Sequence, residues 1–367
     1  MIRVRLTNDI LKRISEIDEN RFSLRMTHLP PVIGNRLRKN SKKKSSYASN
    51  RIEGNPLTED QANEAMESDG HRHFLKPEQE VRNYFLALNL LEEKLKRKVP
   101  FSKELLLEVQ TAVEKGASKE KIGFRGAMPP GVLFAVYDSA TGKPEYIPPE
   151  YTDIPGLLDE LVEYVQTTSD HPLIVAAVVH YQLVTIHPFE DGNGRTARLM
   201  SGYILDLNGY GFNKIGSLEE YFAYDIDEYY ASLQMNLPAL YYSGRDNPPH
   251  PEIWVDYFLH MVELYSKKVC EISAASTQDS LDSALSHLNK KEKDFLAFLL
   301  KKRLFEFAPV EVSRQLGVTS KTVISRCAKL SANSFLVPNT VRERIRTYSL
   351  SDFAKGNSAA VLSRLSR

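Results

Sequence analysis

Residues 172–186, PLIVAAVVHYQLVTI, are apolar on almost every face, a run that fits a helix buried at the centre of a domain. Pro188 should end that helix, because proline disfavours a helical residue before it and pushes His187 toward extended backbone. Beyond it, Gly192-Asn193-Gly194 allows a tight turn, and RTARLMSGYILDL resumes a helical period. The junction between the two helices, HPFEDGNGRTAR (187–198), gathers unlike chemistry. Backbone N–H groups at the start of the second helix point outward and suit an anion, helped by the helix dipole. Arg195 and Arg198, three apart, share one face of that first turn. Phe189 anchors the loop in the core, and His187 supplies an imidazole that titrates near neutrality.

Helical patterns dominate elsewhere. TEDQ (58–61) and SLEE (217–220) read as capping boxes, and Pro77 suits the first turn of a helix through EVRNYFLALNLLEEKLKRK. A long helix is expected over IWVDYFLHMVELYSKKVCEIS, and the small, polar stretch from Ser273 to Leu288 reads as an interdomain connection. Residues 123–149 break the pattern: VLFAVY, the turn DSATGK and EYI predict a hairpin. Near the C-terminus, APVEVSRQLGVTSKTVISRCAKL has the shape of a helix-turn-helix, with a hairpin wing in SFLVPNTVRERIRTYSL. Its second helix is expected to present Ser320, Lys321, Thr322, Ser325 and Arg326. The RLRKNSKKK run at 36–44 reads as a solvated basic face or loop.

Composition narrows the classes. No apolar run reaches the length of a membrane span, and the N-terminus lacks a signal-peptide core. Cys270 and Cys327 stand far apart outside any CxxC spacing, so neither a disulfide framework nor a zinc site is expected. A reducing, cytoplasmic setting fits best. Residues 289–367 hold 16 basic and 6 acidic side chains, a balance of +10, against 32 and 41, or −9, for the rest. That asymmetry predicts separate domains with different partners.

The string HPFEDGNGRTAR matches HPFx[DE]GNGRxxR at every position and resembles the Fic (Fido) family, most of whose members transfer AMP from ATP to a hydroxyl side chain on a protein. The resemblance implies that His187 is the general base and that Asp191 holds Mg²⁺. It implies that Gly192, Asn193, Gly194, Arg195, Thr196, Ala197 and Arg198 bind the nucleotide, with Tyr229 and Tyr230 against adenine. Glu190 falls at the variable position and receives no role. His180 and the HRH at 71–73 lack metal-ligand spacing and read as structural or exposed. The hairpin at 123–149 resembles the family's flap, which clamps a target's backbone by strand addition. Upstream, Ser49 to Gly54 (SNRIEG) matches [ST]xxxE[GN], the family's inhibitory motif. Ser49 and Glu53 would share a helix face that Gly54 terminates, and Glu53 would pair with Arg198 and contact the nucleotide site.

The expected fold is mainly α: a Fic-type helical core with a β-hairpin flap, and a C-terminal winged helix-turn-helix. The expected division is an N-terminal region with the inhibitory helix (1–75), a catalytic core (76–245), a connecting helix and linker (246–288) and the winged module (289–367). The implied activity is protein adenylyltransfer with ATP and Mg²⁺, autoinhibited by Glu53. Its partners would be a target with a Ser, Thr or Tyr hydroxyl and the chain itself, with no membrane. Two alternatives stand: the same site removes AMP from a modified protein, or the chain is a DNA-binding regulator whose core senses nucleotide. For residues 289–367 both DNA and protein contacts are open, and so is a homodimer.

Overall fold

The computed structural model describes residues 2–68, 73–117, 122–132, 134–137, 142–237, 248–341 and 343–366. They form two compact units, residues 1–21 with 37–268, and residues 22–36 with 269–367. Helices α1 (Asn8–Arg25), α2 (Pro31–Ile52), α3 (Glu59–Glu67), α4 (Lys76–Lys96) and α5 (Lys103–Glu114) come first. The short strands β1 (Val136–Tyr137) and β2 (Pro144–Tyr146) follow. Next come α6 (Ile154–Thr167), α7 (Pro172–Ile186), α8 (Asn193–Leu207), α9 (Glu219–Phe222), α10 (Ile226–Gln234) and α11 (Pro251–Ser286).

The apolar run at 172–186 is the central helix α7. Thirteen of its fifteen residues are buried, so it has no polar face and other elements must cover it on all sides. Its main partner is α8. The α11 residue Trp254, fully buried, donates its indole N–H to Ala177 O at 2.8 Å. Each buried Val, Leu or Ile contributes roughly 1.5–3 kcal/mol, which makes α7 the anchor of this unit.

Local signals explain the element ends. Thr58 and Gln61 form the reciprocal capping box that opens α3. At the end of α2, Asn55 N–H reaches Asn50 O and Gly54 N–H reaches Arg51 O, both at 3.0 Å, with Gly54 at φ 78°. That is a Schellman termination, and the left-handed residue it needs is the expected glycine.

Three stretches take a more definite form than their sequences suggest. RLRKNSKKK is a face of α2 and not a loop, exposed at Arg36, Lys39 and Lys44 but with acidic partners: Lys42, Lys43 and Lys44 pair with Glu92, Glu67 and Glu220 at 3.1, 2.6 and 2.9 Å. The stretch from Ser273 continues α11 as helix to Ser286, since nothing in it breaks a helix. Among the described residues of VLFAVY, Val136–Tyr137 form the strand, facing β2 with Val136 opposite Tyr146. Among the described residues the ribbon has two strands, and such a pair is marginal in isolation. Leu133 and 138–141 of the expected turn lie outside the described residues, as do His71 and Arg72 of the HRH.

The second unit contains α12 (Lys290–Lys301), β3 (Glu306–Phe307), α13 (Pro309–Leu316), α14 (Ser320–Ala332), β4 (Leu336–Val341), β5 (Arg344–Leu350), α15 (Asp352–Gly356) and α16 (Ser358–Leu365). Its sheet is antiparallel in the order β3-β5-β4, with Leu336 opposite Leu350. Gly317, at φ 63°, turns α13 into α14, and Thr319 caps α14 by accepting from Thr322 N–H at 3.2 Å. Phe295, Leu299, Val323, Cys327, Leu330 and Phe335 fill the core. Of the residues expected to face out from α14, Lys321 and Ser325 are exposed. Ser320 instead contacts the Ser313 hydroxyl, Thr322 that of Thr319, and Arg326 lies over the Phe295 ring.

Candidate active site

His187 caps the C-terminus of α7 in the left-handed region, φ 48° and ψ 58°, not in the extended conformation expected before proline. Two hydrogen bonds hold it there, and a third fixes the donor of one of them. Its N–H reaches Leu183 O at 3.1 Å, and Arg125 Nε donates to its carbonyl at 2.8 Å while Arg125 Nη2 grips Pro149 O. Backbone strain of this kind costs about 1–3 kcal/mol and survives only where the surroundings over-determine it. Arg125 is thereby the brace that ties the base of the hairpin to the histidine.

The ring is oriented too. Nδ1 lies 3.3 Å from Val184 O, and a carbonyl only accepts, so Nδ1 carries the proton and Nε2 keeps its lone pair. Burial pushes this imidazole down to about 4, not near neutrality as expected from the sequence; the Val184 contact opposes that and Arg125 reinforces it. At neutral pH the ring is uncharged and able to accept a proton.

The loop is tied down by its own side chains. Asn193 accepts from Phe189 N–H and donates to Phe189 O, both at 3.0 Å, so its amide shapes the loop. Phe189 is buried and stacks on Phe124 with centroids 5.5 Å apart. The first helical bond of α8 runs from Thr196 N–H to Gly192 O at 2.9 Å, so the N–H groups of Asn193, Gly194 and Arg195 precede it. Such groups form an anion seat.

The two arginines have different company. Arg195 is buried against carboxylates: Glu114 at 2.9 Å, Asp191 at 3.2 Å and Glu80 at 3.7 Å. Burial pushes the Glu114 carboxyl up to about 7, with Arg195 opposing it. Arg198, also buried, donates through Nε to Ser49 Oγ at 2.8 Å and through Nη2 to Ser49 O at 3.0 Å and Glu53 Oε1 at 2.5 Å. Burial raises the Glu53 carboxyl, but Arg198 and Arg195 overcome it and hold the group below its ordinary value. The Glu53 carboxylate also lies where a β-carbon on Gly194 would be. An anion belonging to the protein therefore sits at the N-terminus of α8.

A cavity of about 230 Å³ opens here, lined by His187, Gly194, Arg198, Glu53, Tyr229 and Tyr230 among others. Tyr230 is half-exposed and donates to Ile52 O at 3.4 Å, whereas Tyr229 is buried with its hydroxyl near Arg198. Thr196 and Ala197 are buried within α8. The chemistry of the donor set suits a phosphate-bound Mg²⁺. Asp191 is a partly exposed acid, and among the described residues no group of three or more His, Cys, Asp or Glu could hold a metal alone. Mg²⁺ commonly takes one or two carboxylates and completes its shell with phosphate and water.

Sequence reasoning missed Arg125, Gln110 and Glu114, and left His180 as structural or exposed. Gln110 donates to Asp191 O at 3.4 Å and, with Glu114 four residues on, gives α5 a buried polar pair on an apolar face. That pattern was visible in LLLEVQTAVE. His180 lies seven residues before His187, two turns back on α7, and is fully buried.

The chain is similar to known proteins in sequence and in fold. Residues 100–205 match the Fic/DOC family model. A protein adenylyltransferase Fic from Drosophila mojavensis is 30% identical over 206 residues, 54% of this chain and 38% of that protein. The chain thus matches well under half the length of such curated relatives. A Fic family protein from Desulfovibrio desulfuricans G20 superposes with a TM-score of 0.58 at 20% identity, covering 96% of this chain and 98% of that one. Fic-1 from C. elegans gives 0.56 at 24%, covering 74% and 73%. At these identities the structures show a shared fold.

Proposed function

This chain carries a Fic/DOC family domain, and from that premise we propose that it is a protein adenylyltransferase restrained by its own Glu53. The observation that supports this most is the Glu53 carboxylate on Arg198 and over Gly194, where the terminal phosphate of ATP would compete for the same cation and the same helix N-terminus. ATP would supply the AMP group, and Mg²⁺ on Asp191 would screen the phosphate charge. His187 Nε2 takes the proton of a Ser, Thr or Tyr hydroxyl as its oxygen bonds to the α-phosphorus. The bond from that phosphorus to the bridging oxygen breaks, and pyrophosphate leaves. Arg125 fixes the histidine, and α8 offers its N–H groups to the phosphates.

The test uses ATP labelled at the α-phosphate, a lysate as the source of targets, and the Glu53→Gly chain with and without His187→Ala. Label should pass to protein, the chain itself included. His187→Ala should cut transfer at least ~100-fold while ATP still binds, the usual contribution of a positioned base. Loss of binding together with rate would make His187 structural.

For the second unit we propose contact with DNA phosphates through exposed Lys321, Lys329, Arg344 and Arg346, supported by the +10 balance of residues 289–367. Binding that fails to weaken steeply between 50 and 200 mM salt would count against it.

A further inference from the structure

Arg198 is held from a second side by groups that the proposed chemistry does not use. Its Nη1 donates to the Tyr229 hydroxyl at 3.4 Å, and that hydroxyl reaches His180 Nε2 at 2.9 Å. Ser201 gives its single hydroxyl proton to Arg198 O at 3.0 Å, so its oxygen is left to accept from His180 Nδ1, 3.3 Å away. His180 then carries its proton on Nδ1, and Nε2 accepts the proton of Tyr229. The chain of donors closes into a ring from the Arg198 guanidinium to the Arg198 backbone, across α10, α7 and α8.

The surroundings enforce that order. His180 and Ser201 are fully buried, and the imidazole packs against Trp254, Phe222 and Phe258 at centroid distances of 4.9, 5.7 and 6.0 Å. Burial, reinforced by Arg198, keeps the imidazole uncharged. A cationic ring would have no acceptor for the Tyr229 proton. The other partners of Arg198, Ser49 and Glu53, belong to α2 and the turn after it. Once Glu53 yields to a phosphate, Ser49 still holds Nε and Nη2, and Tyr229 is the contact that holds Nη1 from the side of α10.

We infer that Tyr229, His180 and Ser201 form a positioning relay that aims Arg198 at the terminal phosphate and so lets the site prefer a nucleoside triphosphate over a monophosphate. This rests on the reading of Arg198 as a phosphate ligand given above. Tyr229 and His180 are positioning residues here, acting through the arginine.

The experiment measures ATP and AMP binding by calorimetry in the full Glu53→Gly chain. The same chain is then measured with Arg198→Ala, Tyr229→Phe or Ser201→Ala added. Arg198→Ala should abolish the preference for ATP. Tyr229→Phe keeps the ring on the cavity wall and removes only the hydroxyl, so it should weaken ATP binding about tenfold, the size expected for losing a hydrogen bond to a charged group, and change AMP by no more than about twofold. Ser201→Ala should shift ATP the same way, and Ser201 does not line the cavity, so that shift would not come from a lost ligand contact. Equal weakening of ATP and AMP by Tyr229→Phe would show general damage and overturn the relay. So would full ATP preference in both Tyr229→Phe and Ser201→Ala while Arg198→Ala loses it, leaving the arginine's own role intact. If Arg198→Ala keeps the preference, the phosphate role itself fails and the relay with it.

Discussion

The carboxylate of Glu53 occupies the space that a β-carbon on Gly194 would fill, and its Oε1 lies 2.5 Å from Arg198 Nη2. One anion thus uses both attractions that the start of α8 offers, the helix dipole and a buried guanidinium. Anything that competes for this seat must displace Glu53, and anything that fills it must keep a phosphate out.

Gly194→Ala separates those two effects. The added methyl pushes Glu53 aside and also takes the phosphate's place. In the Glu53→Gly background, calorimetry should show ATP binding at least about tenfold weaker. Thermal stability should be unchanged or slightly higher, since alanine favours helix by ~1 kcal/mol. Undiminished ATP affinity would mean that the phosphates sit elsewhere.

Stability should fall on mild acidification, and His187 should be one cause. Its folded value of about 4 lies below the ordinary 6.5, so between those values the unfolded chain binds more protons. The stabilisation is present above about pH 6.5 and is lost as pH falls through 4. His180, also shifted downward, acts in the same direction. At ~1.4 kcal/mol per unit, His187 contributes at most about 3 kcal/mol. His187→Gln should therefore lose less Tm than wild type between pH 7 and 5. An equal loss in both would remove His187 from the list of causes.

Arg125→Lys should slow the chemistry without changing ATP affinity. An ammonium cannot span the carbonyls of His187 and Pro149 as the guanidinium does, and an unsatisfied buried carbonyl costs ~1–3 kcal/mol. The left-handed turn at His187 would relax toward the extended form that proline favours. A kcat about tenfold lower with unchanged KM for ATP is expected. Unchanged kcat would show that the hairpin base does not hold the histidine.

The helix–loop–helix junction was legible because its signals are local: an all-apolar run, a proline, and glycines before a new helical period. The turn after α2 was legible for the same reason, since Gly54 ends α2 as its sequence suggests and Glu53 then lies beside Arg198. What escaped depends on distant partners. Nothing local to His187 reveals that Arg125 would hold it left-handed against the preference of Pro188. Arg195 and Arg198 share a helical turn, yet Glu114 claims one and Ser49 with Glu53 the other. The lysines of α2 read as solvated because their acids, Glu92, Glu67 and Glu220, lie 24 to 176 residues away in sequence.

The central claim is that Glu53 restrains a competent site, and AMP transfer by Glu53→Gly against wild type tests it most directly. Driving a two-state site from 1:99 to 99:1 takes about 5.5 kcal/mol. Breaking a buried Arg–carboxylate pair costs ~3–5 kcal/mol, much of it the burden of a charge left alone. Wild type should therefore be slow but measurable, and Glu53→Gly at least about tenfold faster at saturating ATP and Mg²⁺, with a lower Tm because Arg198 loses its counter-ion. A Glu53→Gly chain that transfers AMP no faster than wild type, with a competent target present, would contradict the account.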